Sequence, residues 1–170
     1  MTRLVLLVLA ALIAAPVTAA AQSWRAYSYP EAGFGVHFPA EPTVSNGAYR
    51  TSAGVSVPAV TYAASVDNVA YAVTIADLSK TDMAEEAAIN DAVKTLGQAG
   101  KITVDVEERV NRHYGRQLSL ERKDGSRSTL AVFFISGKLY VLDGKALPPD
   151  PVARSNRTSR FQQSLSFINP

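Results

Sequence analysis

Large apolar residues alternate with small or polar ones through much of this chain, and the period of that alternation predicts most of its elements. Phe34, Val36 and Phe38 are separated by Gly35 and His37 and followed by Pro39. A period of two predicts a half-buried strand with the three large side chains in a core. Proline has no backbone donor, so Pro39 predicts the strand's end or a sheet edge. Trp24 to Tyr29 predicts a strand before it, with Pro30-Glu31-Ala32-Gly33 as the turn between them. Ala48 to Arg50 and Val55 to Tyr62 are weaker strand candidates, and Pro58 assigns the second an edge position. Val69, Tyr71, Val73 and Ile75 then share one face, with Ala70, Ala72 and Thr74 on the other. Ile102, Val104 and Val106 alternate with Thr103, Asp105 and Glu107, and Leu118 and Leu120 repeat the pattern. Asp124-Gly125 is a hairpin signal.

Three stretches break the alternation. From Asp82 to Gln98, Ile89, Val93 and Leu96 recur at i, i+4 and i+7 among alanines, which predicts a helix. Asp82 is the expected N-cap, Glu85 stands three residues on in a capping-box pattern, and Gly100 is the expected stop. A second helix is expected from Pro151 to about Leu165, with Asp150 as cap and Pro151 in the first turn. The third stretch, Arg127 to Ser136, is a strand apolar on both sides: Leu130, Val132 and Phe134 on one, Ala131, Phe133 and Ile135 on the other. Such a strand is covered from above and below, so it belongs inside a layered structure. Leu139 to Leu142 follows it after Gly137-Lys138. The expected class is α+β: an antiparallel sheet covered by helices on both faces, an α/β/α sandwich.

Residues 1–21 are read apart from the fold. Arg3 precedes an apolar run from Leu4 to Ala15, and small residues lead to Ala19-Ala20-Ala21. This is the three-part pattern of a secretory signal peptide with cleavage expected after Ala21. The run is shorter than the roughly 20 residues that a spanning helix needs. The remainder, 22–170, is expected to form a single domain in the periplasm or outside the cell, with no membrane insertion after cleavage. There is no cysteine, so neither a disulfide nor a lipid-modified cysteine is possible. Removing Arg3 from the 17 basic residues leaves 16 against 15 acidic ones, a balance that argues against nucleic acid as a partner.

The order of several short segments carries a resemblance. "YSYPEAGFGVHFPAEP" (27–42), "YGRQLSL" (114–120), the Asp124-Gly125 turn, "FFISGKLYVL" (133–142) and "RFQQSLSF" (160–167) follow one another as in the PsbP-like superfamily. The similarity runs over most of residues 24–168. It implies an α/β/α sandwich around an antiparallel sheet. Members include an extrinsic subunit of the photosystem II oxygen-evolving complex, a Ran-binding nuclear import factor and small exported bacterial proteins, acting by binding rather than by catalysis. In that pattern Gly115 and Arg116 match a Gly-Arg turn, which implies a conformational role for them.

No catalytic motif supports an enzyme. His37 and His113 are the only histidines, and neither has a companion at a ligand spacing. Gly33-Phe34-Gly35 lacks the third glycine and the following helix of a dinucleotide site. There is no phosphate-binding loop, nucleophile elbow or H-E-x-x-H pair. No cofactor and no metal site is expected. Arg109, Arg112, His113 and Arg116 surround a turn between strands, where they would serve either solubility or an acidic partner surface. Arg154 falls on the same side of the expected final helix as Phe161 and Leu165, which calls for an internal partner or a cleft. Arg112, His113, Arg116 and Arg154 are thus the candidate partner-binding residues. The expected function is a non-enzymatic binding or adaptor domain of the cell envelope, its partner an envelope protein or assembly. The alternative is a periplasmic small-ligand carrier with a pocket between sheet and helix.

Overall fold

The computed structural model describes residues 24–168. The expected signal segment and its cleavage after Ala21 lie outside the described residues. In chain order the elements are β1 (Arg25–Tyr29), β2 (Phe34–Phe38), β3 (Thr43–Arg50), β4 (Ser56–Val66), β5 (Val69–Asp77), α1 (Glu85–Gly97), β6 (Gly100–Val110), β7 (His113–Arg122), β8 (Arg127–Ile135), β9 (Lys138–Ala146), α2 (Ser155–Gln163) and β10 (Ser166–Phe167). Two short 3-10 turns, Pro30–Ala32 and Val152–Arg154, join β1 to β2 and lead into α2. The class is α+β.

Two antiparallel sheets form among the described residues. The large one has seven strands in the order β3-β4-β5-β9-β8-β7-β6, and the small one has three in the order β1-β2-β10. Each consecutive pair within the large sheet is a hairpin except where α1 carries the chain from β5 to the far edge. β9 then returns to pair with β5, from Val69 opposite Ala146 to Asp77 opposite Lys138.

Strand β8 is apolar on both sides and buried on both. Ala131, Phe133 and Ile135 join a cluster with Tyr71 and Val73 of β5, Phe34, Val36 and Phe38 of β2, and Phe161 of α2. Leu130 and Val132 join a second cluster with Ala88, Ile89 and Ala92 of α1. The alternation in Phe34-Val36-Phe38 therefore belongs to the core; each of the three is at most 2% exposed.

Several local expectations are corrected. Helix α1 begins at Glu85 with Ala84 as its N-cap and no side-chain cap, so Asp82 does not cap it. Gln98 is its C-cap, and Gly100, expected as a stop, already opens β6, where a Cβ would collide with the Glu121 carbonyl. Pro58 is in an inner strand: β4 pairs with β3 on one side and β5 on the other. The ladder to β5 starts at Ala59, so Pro58, opposite Ala48, needs a sheet partner on one side only. Strand β6 carries a bulge between Ile102 and Val104, after which the face of every residue is reversed. Val104 and Val106 are consequently exposed, at 41% and 47%. The final helix starts later than expected. Residues Val152–Arg154 form a 3-10 turn, in which the Ala153 N–H donates to Asp150 Oδ1 at 3.2 Å, and the α-helix runs only to Gln163. Leu165 lies past it, and Ser166 and Phe167 pair with Gly35 and Phe34.

Candidate functional site

Beside the 3-10 turn Pro30–Ala32 the large sheet carries an open groove of about 490 Å³. Register explains its floor. Asn46, Val60, Ile75 and Tyr140 are successive cross-strand partners over β3, β4, β5 and β9, so their side chains share one face. Tyr62 lies two residues along β4 from Val60 on that same face, and Pro58 lies two residues the other way. The 3-10 turn Pro30–Ala32 closes one end of the groove, held down by Tyr140, whose hydroxyl donates to the Ala32 carbonyl at 3.0 Å. Behind it, Tyr62 packs against Tyr29 with ring centroids 4.3 Å apart and against Phe34 at 5.1 Å. The opposite end opens at Asn46 and Gly47 of β3.

The rim is charged. Glu31 comes from the 3-10 turn, Asp77 from the end of β5 and Lys138 from the start of β9. The Ser79 hydroxyl and N–H both donate to Asp77 Oδ1, at 2.5 and 3.0 Å, and hold this carboxyl below its ordinary range. Asp77 therefore stays anionic. An apolar floor of Pro58, Val60, Tyr62 and Ile75 beneath a few polar groups is the usual make-up of a binding site. No nucleophile–base pair lines the groove, and no group of three or more His, Asp or Glu able to hold a metal occurs among the described residues.

The four residues singled out from sequence lie elsewhere and do not converge. Arg112 is at the tip of the β6–β7 turn, where Asn111 and Arg112 both take positive φ, 49° and 73°. Arg112 is exposed. Asn111 Oδ1 accepts the Phe167 N–H at 3.0 Å, which ties the turn to β10. His113 packs edge-on against Phe167 at 5.4 Å. Arg116 pairs with Asp105 at 2.5 Å, and that carboxylate is the main reason its guanidinium is held above the usual range. Cross-strand register puts His113 and Arg116 on opposite faces of β7, since residues at odd separation alternate. Arg154 lies beside the β4–β5 turn: its Nε donates to the Asp67 carbonyl at 3.1 Å and its Nη1 to the Asp150 carbonyl at 2.5 Å.

Sequence reasoning missed the groove. Its lining comes from five separate segments between Glu31 and Lys138, none with a motif of its own. The usable signal was weak strand character at 43–50 beside small residues, Gly47 and Ala48.

Among the described residues no helix is long and apolar enough to cross a membrane. No protein-family model matches the sequence, and no curated protein does. Solved structures do. Cyanobacterial PsbP from Synechocystis sp. PCC 6803, a solution structure, is similar with a TM-score of 0.60 over 92% of this chain and 99% of that one, at 14% identity. A Pseudomonas aeruginosa protein of unknown function aligns over 83% of this chain and 94% of its own, at 12% identity and a TM-score of 0.46. At such identities the likeness is one of fold, and the chain has a PsbP-like fold.

Proposed function

We propose that this protein is an exported, non-enzymatic binding domain of the cell envelope, and that the groove beside β3 and β4 receives its partner protein. The observation that carries the reading is the groove itself: an open apolar floor of Pro58, Val60, Tyr62 and Ile75, with Glu31 and anionic Asp77 at its rim. The PsbP-like fold supports it as a fold whose sheet can be covered by α1 on one side and by α2 with the small sheet on the other, in α/β/α fashion. Membership of Ile89 and Phe161 in separate core clusters agrees with that arrangement. The leader-like residues 1–21 support export. Of the four basic candidates, Arg112 alone is exposed, the other three being half-buried, so it is the one placed to meet an acidic partner surface beyond the groove.

A photo-crosslinking residue at Val60, compared with one at exposed Lys94 on α1, tests the proposal in intact cells. A discrete crosslinked protein from Val60 alone is the expected result. Equal, diffuse labelling from both positions would sink it. The volume of the groove favours one second reading, a small-ligand carrier. In that case native mass spectrometry of the purified protein shows a bound small molecule that Val60→Arg removes.

A further inference from the structure

The large sheet has two edges, and they differ in how they are guarded. At β6 the edge carries Lys101, Asp105, Glu107, Glu108 and Arg109, and a bulge at Ile102/Val104 twists it. Charges and bulges are the usual means of keeping an edge from pairing with another chain. At β3 the other edge runs eight residues, Thr43–Arg50, with no Lys, Asp or Glu and a single charge at its last position. All of the eight but Tyr49 are exposed, Val44 at 57%. An exposed edge with so little charge is a template for another strand.

We propose that β3 pairs with β3 of a second copy, antiparallel about a two-fold axis through Asn46, so that two large sheets become one continuous sheet. The strand's own sequence fits this occupant. Centring on Asn46 sets Ser45 opposite Gly47, Val44 opposite Ala48 and Thr43 opposite Tyr49, with no like charges opposed. Arg50 of each copy falls opposite Pro42 of the other, one residue from Glu41, so each end of the seam brings together strand-end charges of opposite sign and no like ones. Both Glu41 and Arg50 are exposed, and among the described residues Arg50 uses Nε alone, donating to the Gly54 carbonyl at 3.2 Å. The pairing is isologous, the commonest form of closed homodimer. An axis normal to the sheet keeps the same face upward in both copies. The two grooves, each open at Asn46 and Gly47, then meet end to end across the seam.

The test uses the purified protein. Sedimentation velocity over a micromolar to millimolar range is expected to show a monomer–dimer equilibrium, abolished by the double substitution Ser45→Lys with Gly47→Lys. That pair places lysines directly opposite each other across the axis. It should leave the melting midpoint unchanged, because a Cβ at residue 47 meets nothing within 4 Å. Because the chain has no cysteine, a single one is a clean reporter. Asn46→Cys with a short bis-maleimide should give a covalent dimer, and Asp105→Cys on the guarded edge should not. A wild-type protein that stays monomeric throughout, or a dimer that survives the lysine pair, overturns the proposal. So does preferential crosslinking through Asp105→Cys. A monomer whose β3 crosslinks instead to a different envelope protein also overturns it, and gives that protein the edge.

Discussion

Gly115 on β7 stands directly opposite Phe133 on β8, and the phenyl ring fills the space that a side chain at residue 115 would need. A Cβ there would run into Phe133 Cδ1 and Cε1 and come within 2.5 Å of the Val132 carbonyl oxygen. Phe133 is fully buried and its ring meets Phe167 of β10 edge-on at 5.2 Å, so it has nowhere to retreat. The glycine is required by packing and not by a turn. The Gly-Arg pair, expected to be a turn from the family resemblance, lies inside the strand.

Gly115→Ala is therefore expected to destabilise the protein by about 1–3 kcal/mol, the cost of overpacking a filled core. Urea denaturation reads this directly. A silent substitution would mean that Phe133 has a second rotamer available.

How much of this was legible in advance depends on how local each cause is. Phe34-Val36-Phe38 and the two-sided apolar run at Leu130–Ile135 were readable because a strand's period of two survives any tertiary context that buries it. Helix α1 was readable from Ile89, Val93 and Leu96, though its first turn was not, since Asp82 stands outside the helix. Val104 and Val106 misled because a one-residue bulge reverses the faces beyond it, and nothing in the strand's own pattern marks the bulge. Arg154 misled because a phase of about 100° per residue holds only within an α-helix, and this residue sits in a 3-10 turn. The groove left only the weak strand character at 43–50 as a trace. Glu31, Val60, Asp77 and Lys138 become neighbours only through sheet register.

Adjacent residues Phe133 and Phe134 should respond unequally. Phe133→Ala is expected to cost about 3–5 kcal/mol, the usual range for a fully buried Phe. Phe134 points the other way and is only partly buried against the α1 cluster. Phe134→Ala should therefore cost clearly less while still being measurable in a urea melt. Equal losses would show that α1 seals its side of β8 more tightly than Phe134's exposure implies.

Arg154 bridges two loops by donating to the carbonyls of Asp67 and Asp150, and neighbouring Arg157 pairs with the Asp67 carboxylate at 3.2 Å. Arg154→Gln should lower stability by about 0.5–1.5 kcal/mol, the scale of an ordinary hydrogen-bond loss at a partly exposed site. Arg154→Lys should recover little of it, because an ammonium lacks the planar fork that reaches two carbonyls at once. An unchanged melting midpoint together with weaker capture of a partner would place the guanidinium in a binding role instead.

The buried contact between β6 and α2 makes stability depend on pH. The Gln162 side-chain N–H donates to Glu108 Oε1, while Glu108 Oε2 and Gln162 Oε1 are both buried without a partner. With Glu108 ionised, both of those oxygens can only accept. A proton on Glu108 supplies the missing donor. Burial pushes this carboxyl above its ordinary value, and the Gln162 amide opposes the shift only in part. The sign follows from linkage: a carboxyl whose folded pKa is raised contributes stability that is fully present below its unfolded pKa, about 4.3 for Glu, and lost as pH rises through the folded value. Wild type should therefore lose stability relative to Glu108→Gln as the pH rises above about 4.3, because glutamine keeps a donor at every pH. The difference between the two proteins isolates this residue. Asp124, held low by Ser126, works in the opposite sense but does so in both. Chemical denaturation at several pH values gives the two curves. Parallel curves would show that Glu108 ionises in the folded protein as readily as in the unfolded chain.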